Sequence, residues 1–196
     1  MTCADINLLN DLDFKKQLTF AYLTCERLYP NYVYFSSNYN FGDASILKTS
    51  IDYTLSCILN TSIDQKKVNN LLKAISDNTP DTEHFETHFV SSALDSCTVV
   101  AETLDFLIDK KSSRLKDILT FATDTVYMYI QELESLDFNS DKDFQKKIDL
   151  HPLMQKELSI QTGIVRYLSK SKNIDIDDIN TLLNLQDNNG KGSLDL

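Results

Sequence analysis

The chain has 196 residues, a formal net charge of −10 and 42% hydrophobic residues. A chain of this length can bury a core without disulfides or metals, and its 4 glycines and 3 prolines are too few for low-complexity disorder or for the many turns of a β-sandwich. The acidic balance argues against binding to nucleic acid or to an anionic membrane, because both depend on an excess of Lys and Arg.

The first part of the chain shows apolar residues at steps of three and four, which predicts an amphipathic helix over 13–29. Asp11 or Asp13 can cap its start, and Pro30 is expected to end it, because the residue before a proline is pushed out of the α region. A second, short helix is expected to begin with Pro30 in its first turn. The apolar stripe of the first helix consists of Phe14, Leu18, Tyr22, Cys25 and Leu28.

The same periodicity continues along the rest of the chain. Asp43 and Asp64 are expected to cap two helices, and Thr79-Pro80-Asp81 to open a third. Residues 137–149 are polar and are expected to form a loop that can include one helical turn. Further helices are expected at 90–110, 113–135, from Pro152 to about 168, and at 176–186.

These elements predict an all-α fold, a bundle of about eight amphipathic helices in one domain. Each helix has one apolar face that it must bury against its neighbours. The long helices 13–29, 90–110 and 113–135 are expected at the centre. The single helical domain is expected to span 1–186, and residues 187–196, with two of the four glycines, to form a flexible C-terminal tail.

The four cysteines are Cys3, Cys25, Cys57 and Cys97, and no two of them form a C-x-x-C pair. The last three fall on apolar helix faces and are expected to be buried as small hydrophobic residues. The N-terminal residues show no signal-peptide pattern, and no apolar run approaches the roughly 20 residues of a membrane span. The protein is therefore expected to be cytoplasmic.

Two segments resemble metal sites, and both depart from the pattern. His84 and His88 would lie on one face of a helix and share a zinc ion with Glu86 or His151, but the spacing is not H-E-x-x-H. Residues 187–194 match an EF-hand loop at several positions. However, Lys191 stands where an oxygen ligand belongs, and the sequence supplies no glutamate at position 12. No metal or other cofactor is predicted, and His84 and His88 are only weak candidates for metal ligands.

Arg27 and His151 are the polar residues with the clearest possible roles. Arg27 is expected to pair with Asp43, Asp52 or Asp95 between helices, as a positional device. The functional alternative is that Arg27 binds an anion in a cleft. His151 is expected to cap the following helix, or to act as a general base. No nucleophile motif, phosphate loop or dinucleotide motif accompanies them, which disfavours an enzyme.

Four segments in order resemble the YjaG-like proteins of bacteria, over about residues 8–168. They are Glu26-Arg27-Leu28-Tyr29-Pro30-Asn31-Tyr32 with Phe35, Phe41-Gly42-Asp43 and Leu47; Thr79-Pro80-Asp81-Thr82-Glu83 with Phe85; Ala93-Leu94-Asp95-Ser96-Cys97; and His151-Pro152-Leu153-Met154-Gln155-Lys156-Glu157-Leu158 with Gln161. The resemblance implies an all-helical fold and brings no activity, cofactor or catalytic residue. Its polar positions, the candidate site, are Glu26, Arg27, Asp43, Asp95, His151 and Gln155.

Three functions are compatible with the sequence. The first is a cytosolic module that binds another protein, with Tyr32, Tyr34 and Tyr39 as candidates for an exposed aromatic patch. The alternative is a small-molecule or metal-dependent enzyme with an interhelical site around Arg27 and His151. A weaker alternative is an acidic mimic of nucleic acid, which requires one contiguous negative face.

Overall fold

The computed structural model describes residues 3–60, 62–186 and 191–196. These residues form nine α-helices and no strand, which confirms the predicted all-α class with one helix more than expected. The helices are α1 (Cys3–Asn10), α2 (Phe14–Tyr39), α3 (Ala44–Asn60), α4 (Gln65–Asp77), α5 (Phe89–Asp109), α6 (Ser112–Leu133), α7 (Phe144–Asp149), α8 (Pro152–Lys170) and α9 (Ile176–Gln186).

Side chains cap several helix starts as the sequence predicts. Asp13 accepts a hydrogen bond from the backbone N–H of Lys16 at the start of α2, at 3.1 Å. Asp64 accepts from two backbone N–H groups in the first turn of α4. His151 Nδ1 accepts from the backbone N–H of Leu153 at the start of α8, at 3.2 Å. Each cap satisfies a donor that the helix itself leaves without a partner.

Pro30 does not end the first long helix, which is a correction. Helix α2 continues through Pro30 to Tyr39, so the expected second helix is its last part. Nearby carbonyl groups have tertiary partners, because Ser193 N–H donates to the Arg27 carbonyl and the Ser96 hydroxyl to the Leu28 carbonyl. An internal proline costs about 3 kcal/mol, and the burial of the following turns offsets that cost.

Three further differences concern short elements. Thr79-Pro80-Asp81 opens only a 3-10 helix, Thr82–His84, and α7 is a six-residue helix where a loop with one helical turn was expected. Helix α1 precedes the first predicted helix. Short helices present few apolar residues, so periodicity detects them poorly: α7 buries only Phe144 and Ile148.

The core lies where α5 packs between α2 and α6, the three long helices expected at the centre. Cys25, Cys57 and Cys97 are buried free thiols, in agreement with their positions on apolar stripes. A second, smaller hydrophobic cluster lies beside the main one. It consists of Val126, Ile130, Phe144, Ile148, Met154 and Leu194.

Residues 191–196 differ from the expected flexible tail. Ser193 and Leu194 are buried, and Leu194 belongs to the second cluster. The other half of the EF-hand-like segment, 187–190, lies outside the described residues. Among the described helices, none is long and apolar enough to cross a membrane.

Candidate functional site: a buried polar cluster and an exposed apolar patch

Arg27 forms a bidentate ion pair with Glu157 in the interior, and this is the most buried charged group of the described residues. Arg27 Nε lies 2.9 Å from Glu157 Oε2, and Nη2 lies 2.8 Å from Oε1. The two side chains are 3% and 2% exposed. Helix α2 supplies the arginine and α8 the glutamate, so the pair fixes the relative position of the two helices.

Two glutamines complete the cluster around this pair. Gln161, one turn after Glu157 on α8, donates to Glu157 Oε1 at 2.7 Å. Gln186 on α9 accepts from Arg27 Nη1 at 3.2 Å and donates to the Leu23 carbonyl at 3.1 Å. Charges removed from water are tolerated only with such a full set of partners. The cluster therefore holds α9 as well as α8 against α2.

The expected partners of Arg27 are wrong. Asp43, Asp52 and Asp95 were expected, whereas the structure pairs Arg27 with Glu157. The sequence contained a signal for this partner. Glu157 lies three residues after Met154 and four before Gln161, on the face that α8 buries. A carboxylate on a buried helix face requires a cation.

The other candidate residues have side-chain partners outside the candidate set. Glu26 accepts hydrogen bonds from the Tyr22 hydroxyl at 2.9 Å and from Lys48 Nζ at 2.8 Å. Burial, followed by the charge of Glu26, raises the pKa of Tyr22. Asp43 caps the start of α3, and its hydrogen bonds with Ser45 lower the pKa of its carboxyl.

Asp95 lies between α5 and α6, beside Thr125. The Thr125 hydroxyl is 2.8 Å from Asp95 Oδ2 and 2.9 Å from the Phe121 carbonyl. Burial raises the pKa of the Asp95 carboxyl to about 6, with a smaller contribution from the charge of Asp124. The Thr125 hydroxyl donates to Asp95, and this hydrogen bond lowers the pKa of the carboxyl, in opposition to the larger effect of burial.

His151 and Gln155 lie at the start of α8, on the surface. Besides its capping bond, His151 has Nε2 3.6 Å from Glu134 Oε1. Gln155 donates to the Asp149 carbonyl at 2.5 Å. The structure therefore gives His151 the expected capping role, while Arg27 is engaged in the interior with Glu157.

His84 and His88 do not share a helix face, so the geometry required for a shared zinc is absent. His84 lies in the 3-10 helix with its side chain 75% exposed, and His88 immediately precedes α5 with its ring 4.2 Å from that of Phe89. Within the described part of the chain, no group of three or more His, Cys, Asp and Glu side chains could hold a metal ion.

The expected tyrosine patch is also corrected. Tyr32 is fully buried, and its hydroxyl donates to the Asn78 carbonyl at 2.7 Å. Tyr39 reaches Thr87 at 2.8 Å and stacks on Phe35. The ring of Tyr34 lies 4.9 Å from that of Phe89, and Tyr39 is 36% exposed, so burial removes Tyr32 alone from the expected patch.

A different set of large apolar side chains is exposed, and we call Leu133, Phe138 and Leu150 the apolar patch. Their exposed fractions are 55%, 73% and 65%. The Phe138 ring lies 5.5 Å from the Phe144 ring of the second cluster. Glu134 follows Leu133 and His151 follows Leu150, and the 3.6 Å contact between Glu134 and His151 brings these two segments close together.

An open cleft of about 310 Å³ lies near the buried polar cluster. Gln161 and Thr123 provide polar groups in this cleft, and Asp124 lies among its lining residues. Burial raises the pKa of the Asp124 carboxyl. Gln161 is itself 1% exposed, so the cleft ends at the buried cluster without opening it.

Comparisons with known proteins agree with this fold. A family model described as a protein of unknown function, DUF416, matches residues 6–194. The YjaG proteins of Escherichia coli (strain K12) and Salmonella typhimurium are each 24% identical over 176 residues, which is 89% of this chain and 86% of theirs. The crystal structure of a DUF416 family protein from Shewanella baltica OS155 matches with a TM-score of 0.88 and 22% identity over 97% of both chains. These matches confirm the resemblance predicted from four segments, and the chain belongs to the DUF416 family.

Proposed function

We propose that the protein is a binding module for another protein, and that the partner docks on the apolar patch. The supporting observation is the exposure of Leu133, Phe138 and Leu150, which lie within one short stretch of the chain. A single exposed apolar side chain is ordinary, whereas several large ones together are typical of interaction sites. Aromatic anchors such as Phe138 supply much of the affinity in such interfaces.

The charges around the patch favour a partner with a basic surface. Residues 132–151 contain six carboxylates and three lysines. One of these lysines, Lys147, is paired with Asp141 at 2.6 Å, and the remaining carboxylates still outnumber the remaining lysines. A partner surface whose apolar side chains are surrounded by Lys or Arg complements the apolar patch and the acidic residues around it. A second copy of the chain fits less well, because each copy carries a net charge of −10.

The geometry gives less support to the enzyme alternative. That hypothesis requires Arg27 to meet a substrate near His151. Instead, Nε, Nη1 and Nη2 of Arg27 are engaged by Glu157 and Gln186. The acidic mimic of nucleic acid stays a prediction that requires a contiguous negative face.

We place this binding module in the cytoplasm. The side chains of Cys25, Cys57 and Cys97 are free thiols, and free thiols persist in reducing compartments. Their burial also protects them from oxidation.

A photocrosslinking experiment tests the docking site. A benzophenone amino acid replaces Phe138 in one full-length variant and Leu185 in the control, because Leu185 is equally apolar and 64% exposed on α9. We expect an adduct at position 138 with one protein that has a basic surface. The crosslinked partner, once purified, should bind the protein without the benzophenone amino acid, and the affinity should fall as salt is raised from 50 to 500 mM.

Substitution of the patch provides the second measurement. Phe138→Ser should weaken binding of the crosslinked partner at least tenfold, and Leu185→Ser should leave it unchanged. Equal adducts at both positions, or an adduct only with a second copy of this chain, would contradict the proposal.

A further inference from the structure

Residues 191–196 lie in a groove between α2, α5, α6 and α8, and they are held there like a bound peptide. The Ser193 backbone N–H donates to the Arg27 carbonyl at 3.1 Å. The Ser193 hydroxyl accepts from Asn31 Nδ2 at 3.0 Å. Lys156 Nζ lies 2.6 Å from Asp195 Oδ1. We call this surface the segment groove.

The side chain of Leu194 is the apolar anchor of the segment. It is 2% exposed and packs with the second hydrophobic cluster. It also lines a small enclosed space with Ser92 of α5 and with Thr125 and Tyr129 of α6. Ser193 thus meets a backbone acceptor and a carboxamide donor, Leu194 meets an apolar pocket, and Asp195 meets a cation.

Gly192 has no room for a side chain. A Cβ at this position would overlap the Asn31 Oδ1 atom and would lie 3.2 Å from the Pro30 Cβ. The segment can therefore pass over Asn31 only with glycine at this position. This requirement adds shape selectivity to the polar contacts.

Asn31 also shows that the segment does not satisfy the groove completely. Its side chain is fully buried, and Oδ1 is the sole buried side-chain N or O atom without a hydrogen-bond partner among the described residues. An unpaired buried acceptor is costly. A segment whose backbone N–H reaches this oxygen would gain a hydrogen bond that residues 191–196 do not make.

We propose that the segment groove is a recognition site for a short extended segment of another protein, with the pattern Gly, then Ser or Thr, then Leu, then Asp or Glu, and that residues 191–196 occupy it as an internal competitor. This site is separate from the apolar patch and does not depend on it. The internal segment can leave without global unfolding, because it is held by a few local contacts, including an ion pair whose partners are 36% and 41% exposed.

The experiment uses the full-length protein and a fluorescein-labelled peptide, Lys-Gly-Ser-Leu-Asp-Leu, which has the sequence of residues 191–196. Fluorescence anisotropy measures its binding to the wild type and to Leu194→Ala, whose internal segment is weakened. We expect the variant to bind the peptide at least tenfold more tightly than the wild type. Should Leu194→Ala fold poorly by circular dichroism, Asp195→Lys weakens the segment at the surface and should have the same direction of effect.

Four controls make the result specific. Leu185→Ala should bind the peptide as the wild type does. A peptide with Ala in place of its first Leu should bind at least tenfold more weakly to Leu194→Ala. Adding Lys156→Glu to Leu194→Ala should remove the gain, because the acidic residue of the peptide loses its cation. Phe138→Ser should have no effect, which separates this site from the apolar patch.

Two results would overturn the proposal. Equal peptide affinities for the wild type and both weakened variants would show that the groove does not exchange its segment. Dimerisation of Leu194→Ala in sedimentation experiments would show that a second copy of the chain takes the place of the proposed partner.

Discussion

Removing either partner of the Arg27–Glu157 pair should destabilise the protein strongly. Arg27→Met leaves a carboxylate, and Glu157→Leu leaves a guanidinium, at side chains that are 3% and 2% exposed. An uncompensated charge at a buried position costs about 3–5 kcal/mol. Because a typical domain has a free energy of unfolding of about 5–15 kcal/mol, each single substitution should remove a large part of the stability.

The double variant Arg27→Met/Glu157→Leu should lose less than the sum of the two single losses, by at least about 2 kcal/mol. It removes both charges and leaves two apolar side chains that can pack together. It still costs some stability, because Gln161 and Gln186 each lose a hydrogen-bond partner from the pair. The predicted quantity is therefore the coupling energy between Arg27 and Glu157, and not the loss of stability at either residue alone.

Urea unfolding of the four proteins, followed by circular dichroism at 222 nm, measures these free energies. The pair Lys48–Glu26, at 2.8 Å with side chains 39% and 17% exposed, is the control. The same apolar replacements there should show a coupling energy below about 1 kcal/mol. Additive losses at Arg27 and Glu157, within about 0.5 kcal/mol, would refute the reasoning.

Three other predictions concern single positions. Asp95→Asn should raise the free energy of unfolding at pH 7.5, by up to about 3 kcal/mol, and should have little effect at pH 4. Burial raises the folded-state pKa of Asp95 from 3.8 to about 6, so the folded state binds the proton more tightly than the unfolded state does. The stability of the wild type therefore falls as pH rises between these values. Urea unfolding across this range measures the stability difference between variant and wild type, and a difference that does not change with pH would contradict the prediction. Pro30→Ala should raise the midpoint of urea unfolding, because alanine is about 3 kcal/mol more favourable than proline inside a helix; an unchanged or lower midpoint would contradict this. Gly42→Ala should lower the thermal midpoint, because Gly42 has a φ of +67° and a Cβ there would overlap the Tyr32 hydroxyl; an unchanged midpoint would show that the turn adapts freely.

The helical class and most helix positions could be predicted from local sequence. Spacing of three and four residues detects a long amphipathic helix, because the face that must be buried repeats with the turn of the helix. Capping residues such as Asp13 and Asp64 act on backbone groups two or three residues away, so their effect is also local. The short helix α7 was missed because six residues carry too little of this pattern.

The candidate site depended on contacts that no local pattern contains. Arg27 was correctly noted as a polar residue on a largely apolar helix, but its partner Glu157 lies 130 residues away. The six candidate residues share a sequence resemblance, and the fold gives them separate side-chain partners. The two glycines of residues 187–196 predict a flexible tail, yet Leu194 in this segment is 2% exposed.

The sequence by itself determined that this chain is helical, where its long helices begin, and which family it resembles. The tertiary structure decided three other features: that α2 continues through Pro30, that Arg27 pairs with Glu157, and that residues 191–196 are bound in a groove. Helix formation follows from hydrogen bonds and apolar faces within a few turns. A buried charge, an internal proline and a bound segment are stable only where residues distant in the chain supply their partners, and only the packed fold brings those partners together.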